Sequence, residues 1–217
     1  MKHFITTISL NRSLSAINYR NIEGADYLDN DREFTNPVLV PLKNLSEKGE
    51  KICITAIVTN DKDGNCKHNL EIFKDEVERL REEIGFEYDG IEEISIDYAE
   101  STAKHLNLFE TMIEHIHDGD EIVADITYGN KPTPIAIQLA LSFAYHYKEN
   151  TVIKALTYGE VDHNEKNSDG KPYLGYIFDV SALFYMNSIM AEMTSVKPQN
   201  PLGFIKMLLG KGEDDNG

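Results

Sequence analysis

The run Ile52 to Thr59 reads Ile-Cys-Ile-Thr-Ala-Ile-Val-Thr and carries no charge. A strand that does not alternate polar with apolar residues has both faces covered, which is the condition of a parallel sheet layered between helices. The run is far shorter than the ~20 apolar residues that cross a bilayer, and no other stretch reaches that length.

Around this run the hydrophobic period switches repeatedly. Further strands are expected at Phe4–Leu10, Ile91–Ile96, Glu121–Ile126, Thr151–Tyr158 and Gly175–Val180. Between them lie helical patterns. Asn69–Ile84 places Leu70, Phe73, Val77, Leu80 and Ile84 on one face. Thr102–His117 does the same with Leu106, Phe109, Met112, Ile113 and Ile116. Pro134–Tyr147 and Ser181–Met193 read as core helices. Pro37–Leu45 suits either a strand or a short helix, and the charged Asn21–Asn36 segment suits a hairpin. Strands alternating with helices mean βαβ units. The expected fold is α/β, Rossmann-like, with a mostly parallel sheet flanked by helices on both faces.

The 217 residues suit one large domain, or one domain with an appendage. The reading assigns 1–194 to the Rossmann-like domain. It assigns 195–217 to a linker, a short apolar helix (Leu202–Leu209) and a disordered acidic tail. That helix is too short for a span and is expected to pack on the core or on a second subunit, with a peripheral membrane contact as the alternative. Met1-Lys2-His3-Phe4-Ile5 runs straight into strand-like sequence without a signal-peptide pattern, so a cytoplasmic location is expected. Cys53 reads as a small core residue and Cys66 as part of a turn. Two cysteines make no disulfide framework, and the histidines show no metal spacing, so neither a metal nor a cofactor is expected.

Net charge is −16, from 21 basic and 37 acidic residues. A long nucleic acid needs clustered Lys and Arg, and this balance argues against one. The acid is unevenly spread. Residues 60–125 carry 20 acidic and 6 basic residues, whereas residues 1–51 carry 7 of each. A small anionic ligand is therefore compatible with the first segment.

Two loops concentrate the polar chemistry. One is Asp125-Ile126-Thr127-Tyr128-Gly129-Asn130-Lys131-Pro132, between a buried strand and an apolar helix. Helix-start N–H groups and the Lys131 charge suit a phosphate there, at the edge where open α/β sheets bind ligands. Asp125 either caps nearby N–H groups or holds Thr127, which leaves Thr127, Gly129, Asn130 and Lys131 toward a ligand. The other is Ser9 to Tyr19, also after a strand's carboxyl end, with Ser9, Asn11, Arg12 and Ser13 suited to phosphate and sugar. Tyr158-Gly159-Glu160 reads as a third strand end lining the same crevice. The chain lacks the Gly-x-Gly-x-x-Gly and Walker patterns, which counts against an ordinary nucleotide enzyme.

The stretch Asp125 to Pro134 resembles the Asp-x-Thr-His-Gly motif of CRISPR-associated Rossmann-fold (CARF) proteins, which continues Phe-Arg-x-x-Pro. Tyr128 stands where the family has histidine, Asn130 where it has an aromatic residue and Lys131 where it has arginine; Pro134 matches. Ser9-Leu10 through Asn18-Tyr19-Arg20, Ala155 to Glu160 and Phe178 to Leu183 resemble the family's other conserved strands and turns, so the likeness covers roughly residues 4–193.

The resemblance implies a homodimer with one two-fold pocket for cyclic oligoadenylate, the second messenger of type III CRISPR defence. Ser9, Asn11 and Arg12 in one loop, and Thr127, Tyr128, Gly129, Asn130 and Lys131 in the other, are the matching ligand positions. Many family members add a HEPN ribonuclease, and nothing after Met193 has the length for one. The expected function is therefore cyclic oligoadenylate binding, with possible metal-independent ring cleavage using Lys131, Arg12 and Ser13. The alternative is a non-catalytic adaptor or regulator acting on a partner effector.

Overall fold

Seven strands and six α-helices occur among the described residues of the computed structural model, which are 1–22, 25–98 and 101–210. The strands are β1 (Lys2–Thr7), β2 (Asn18–Asn21), β3 (Ile52–Asn60), β4 (Ile91–Asp97), β5 (Glu121–Asp125), β6 (Val152–Val161) and β7 (Leu174–Asp179). They form one sheet in the order β2-β7-β6-β5-β1-β3-β4. Strands β4, β3, β1, β5 and β6 are mutually parallel, and β7 is antiparallel to β6. The fold is α/β and Rossmann-like.

Strand pleat assigns the two faces. Phe4 of β1 and Ile8, just beyond its end, point to the side that also holds Val58, Leu70, Phe73 and Val77 in one buried cluster. That side is covered by α1 (Leu39–Leu45) and α2 (Asn65–Ile84). Helix α2 buries Leu70, Phe73, Val77 and Leu80, the stripe its sequence spacing gives. It starts where Asp61 accepts from the N–H groups of Asn65 and Cys66, each at 2.9 Å. Gly85, at φ +87°, ends it by donating to the Arg81 carbonyl, a conformation that suits glycine. Helices α3 (Thr102–His115) and α4 (Thr133–Tyr147) pack together, with Phe109 edge-on to Phe143 at 6.3 Å.

Several expectations shift. Pro37–Leu45 is helical from Leu39, because the Asn36 amide grips the end of β1 and accepts from the Val38 N–H at 3.2 Å. Asn21–Asn36 forms no two-stranded hairpin among its described residues. It carries a 3-10 turn at Asp26–Leu28, and Phe34 bridges back to Ile17. Cys66 lies in the first turn of α2 and is buried; Cys53 is half-buried. Strand β6 runs on to Val161, so Tyr158 is not at a strand end: β7 pairs antiparallel with that extension and prolongs it.

The chain from β1 to β3 takes a detour that the sequence pattern does not announce. It crosses to the far sheet edge, pairs as β2 with β7, and returns through residues 25–38 to α1. Contacts mark the return path: Tyr27 donates to Asp179, and a Cβ on Gly159 would meet Pro37 at 2.5 Å. The path therefore straps the carboxyl ends of β6 and β7.

The chain divides into two compact units, Met1–Ser181 and Ala182–Gly217. In the second, α5 (Ser181–Val196) is followed by α6 (Pro201–Leu208), whose first turn is capped by Asn200 accepting from the Gly203 N–H at 2.9 Å. The acidic tail expected at the end falls on 211–217, outside the described residues.

Close packing of β7 against β6 is testable. A Cβ on Gly175 would lie 2.5 Å from the Glu160 carbonyl oxygen and 2.9 Å from Ile17 Cγ2. Backbone cannot yield as a side chain does, so Gly175→Ala should cost about 1–3 kcal/mol and lower the melting temperature by roughly 3–10 °C. An unchanged melting temperature would contradict this packing.

Candidate functional site

Strands β1 and β5 are parallel neighbours, with Phe4 opposite Val123 and Ile5 opposite Ala124. The next parallel strand lies on one side of the pair after β1, at β3, and on the other side after β5, at β6, although the chain leaving β1 first crosses on the β6 side to β2. The order of the parallel strands therefore reverses between β1 and β5, a topological switch point of the kind where open α/β sheets bind ligands. The two polar loops of the sequence, 8–17 and 126–132, are the two loops that leave it.

Asp125 organises the second loop. Its side chain is fully buried and accepts three hydrogen bonds: the Thr127 N–H at 3.1 Å, the Thr127 hydroxyl at 3.0 Å and the Thr157 hydroxyl at 2.9 Å. Thr127 Oγ1 in turn accepts from the Gly159 N–H at 2.7 Å. Asp125 and Thr127 therefore tie the loop to β6 and shape it from below. Burial pushes the Asp125 carboxyl up to about 6, against the pull of the hydroxyls and N–H that donate to it.

Above this tie the loop turns outward. Gly129 takes φ +105°, and a Cβ there would press on Thr133 and on Thr7 Cγ2 at 3.1 Å, so both conformation and space favour glycine. The N–H groups of Gly129, Asn130 and Lys131 have no acceptor among the described residues. Lys131 is exposed and Asn130 half-buried, just before α4. Thr7 and Thr133 turn carbon atoms toward Gly129, and their hydroxyls are buried with no partner among the described residues.

Tyr128 points back into the protein. Its hydroxyl donates to the Thr35 carbonyl at 3.0 Å and lies 3.3 Å from the Tyr19 hydroxyl. Burial, followed by the neighbouring carboxylates, pushes Tyr128 up to about 12 despite the Tyr19 contact, so it stays a neutral phenol. Glu76 of α2 accepts from the Thr35 N–H at 3.0 Å and from its hydroxyl. The residue in the histidine position of the motif is thus built into the strap.

In the first loop, Ser9 is buried, and its Oγ accepts from the Asn11 N–H at 3.2 Å. Asn69 of α2 donates to the carbonyls of Ser9 and Asn11 at 2.8 and 3.0 Å, which pins the loop. Asn11, Arg12 and Ser13 are exposed. Neither Arg12 nor Lys131 makes an ion pair among the described residues. The two loops meet at a cavity of about 80 Å³, lined by Asn11, Ser13, Ser15 and Tyr128, by His163 and Pro172 from the β6–β7 connection, and by the apolar Leu14, Ile17 and Val161. Tyr158 lies apart from it. It projects to the sheet face opposite Thr157 and Gly159 and stacks on Phe178 with ring centres 6.4 Å apart.

Sequence reasoning missed Tyr19, Thr35, Glu76 and His163. The Asn36-Pro37 pair marks a turn, but nothing local says that it crosses the sheet edge. Among the described residues no group of three His, Cys, Asp or Glu side chains is placed to hold a metal ion, and no helix is long and apolar enough to cross a membrane.

No protein-family model matches the chain. A segment of 59 residues is 34% identical to part of a CRISPR-associated protein of Methanocaldococcus jannaschii. The segment covers 27% of this chain and 9% of that protein.

The Asp125 tie has a pH signature. Folding raises this carboxyl from 3.8 to about 6, so only well below pH 3.8 is it neutral in both states, where it costs nothing. Between pH 4 and 6 the unfolded chain ionises first and stability falls. Above pH 6 the loss is complete, about 3 kcal/mol at roughly 1.4 kcal/mol per pH unit. Urea unfolding of the wild type and Asp125→Asn across this range should show the wild type losing ground to the variant as pH rises. A pH-independent difference would contradict an ionisable, buried Asp125.

Proposed function

We propose that this chain is a CARF-type receptor for cyclic oligoadenylate in CRISPR-linked defence, acting as a homodimer whose two crevices form one pocket. The observation that carries the reading is the switch-point crevice. Three N–H groups without an acceptor among the described residues, the Lys131 ammonium and the Arg12 guanidinium lie on its two loops in a chain of net charge −16. Such a donor set selects an anion with several oxygens. The likeness to a CRISPR-associated protein and the Asp125–Pro134 motif favour a CRISPR-linked ligand over other nucleotides.

A second copy has a natural place. Between α3 and α4 lies a groove of about 360 Å³, lined by Leu106, Phe109, Ile135 and Leu139 and reaching Pro132 at the end of the ligand loop. Leu106, Ile135 and Leu139 are each more than half exposed. An isologous contact there would bring two 126–132 loops together around a symmetric ring.

Cleavage of the ring uses the same groups. The ribose 2′-oxygen attacks the adjacent phosphorus, the 2′-O–P bond forms and the P–O5′ bond breaks. The 2′-hydroxyl proton passes to water and the 5′-oxygen takes one from water, leaving a 2′,3′-cyclic phosphate and a 5′-hydroxyl. Lys131 and Arg12 stabilise the charge that develops on the phosphate, and Ser13 positions it.

Isothermal titration with cyclic tetra- and hexa-adenylate tests the reading. The wild type should bind one of them at one ring per two chains. Lys131→Ala should weaken binding by roughly 10- to 100-fold, the loss of one charge-assisted contact. Failure of the wild type to bind either ring would overturn the reading. Binding with labelled rings left intact at stoichiometric protein would make the chain a sensor without turnover.

A further inference from the structure

The β6–β7 hairpin stands above the edge where the ligand loops lie. Strand β5 ends at Asp125, opposite Thr157, while β6 continues to Val161 before the chain turns back to β7 at Leu174. The connection contributes His163 and Pro172 to the lining of the 80 Å³ cavity, which Asn11, Ser13, Ser15 and Tyr128 also line. A water needs only about 10–15 Å³ of such space, so several polar atoms fit.

The lining has a definite chemical character. Its polar members Asn11, Ser13, Ser15 and His163 are set among Leu14, Ile17, Val161 and Pro172, and no lining residue is a carboxylate, although acidic residues outnumber basic ones by 37 to 21 in the chain. Tyr128 adds shape rather than a donor, because its hydroxyl is spent on the Thr35 carbonyl. The His163 ring has no hydrogen-bond or ionic partner among the described residues. An imidazole carries an N–H in either protonation state. Donors converging without a carboxylate suit one phosphodiester, which is neither neutral nor cationic.

We infer that the β6–β7 hairpin supplies His163 to the ligand pocket, where it donates to one phosphodiester of the bound oligonucleotide opposite Ser13. This rests on the cyclic oligoadenylate reading above and adds a third chain segment to its two loops. His163 is exposed and sits in a connection rather than in the core, so its replacement leaves the fold intact.

Calorimetric titration of the full chain with cyclic tetra- and hexa-adenylate, at one fixed salt concentration, tests the assignment. His163→Ala should weaken binding by roughly tenfold or more, and His163→Gln, which keeps an N–H donor, should recover part of that loss. The His163 ring C–H resonances should also shift when the ring saturates the wild type. Unchanged affinity in His163→Ala, or an unmoved His163 resonance in a wild type that binds, would overturn this inference and leave the broader reading standing. A wild type that binds neither ring would overturn both.

Discussion

A fully buried carboxylate with three donors holds the candidate site in place. Asp125 sits at the end of the strand that lies beside β1, and Thr127 in the following loop and Thr157 within β6 satisfy it. A buried charge without such partners would be prohibitive. With them, the loop after β5 is fastened to β6 through Thr127 and the Gly159 N–H. Everything above the tie follows from it: the outward turn at Gly129, the uncommitted N–H groups before α4, and the inward aim of Tyr128.

The second organising feature is the strap formed by residues 25–38. It crosses the sheet edge and is fixed by polar contacts from several directions: Asn36 to β1, Thr35 to Glu76 of α2, and Tyr27 to Asp179. Tyr128 reaches it, so the ligand loop, the strap and α2 are hydrogen-bonded in series. The small cavity beside them is lined by three separate segments of sequence: residues 11–17, Tyr128 and the β6–β7 connection.

The sequence made the alternation legible, because parallel strands buried on both faces leave charge-free runs such as Ile52–Thr59 and because α2 repeats its apolar residues at helical spacing. The two polar loops were legible for a related reason: each is a polar stretch directly after a buried strand, and the second carries Gly129. What escaped was tertiary. Strand β2 is four residues long, and its pairing with β7 depends on a chain reversal that no local pattern specifies. Strand β6 looked finished at Tyr158 because only its antiparallel partner sustains it further. His163, in a polar segment without periodicity, gains meaning only from that extension. The tyrosine at 128 looked like a departure from a motif, and in the fold it is a hydrogen-bonded strut.

Hydrogen–deuterium exchange of the full chain, with and without saturating cyclic tetra- or hexa-adenylate, tests most directly whether these segments make one pocket. The account predicts that ligand slows exchange together at residues 9–15, 128–132 and 161–165, with little change at the opposite edge of the sheet. Protection absent from the loops after β1 and β5, or confined to α5 and α6, would contradict it.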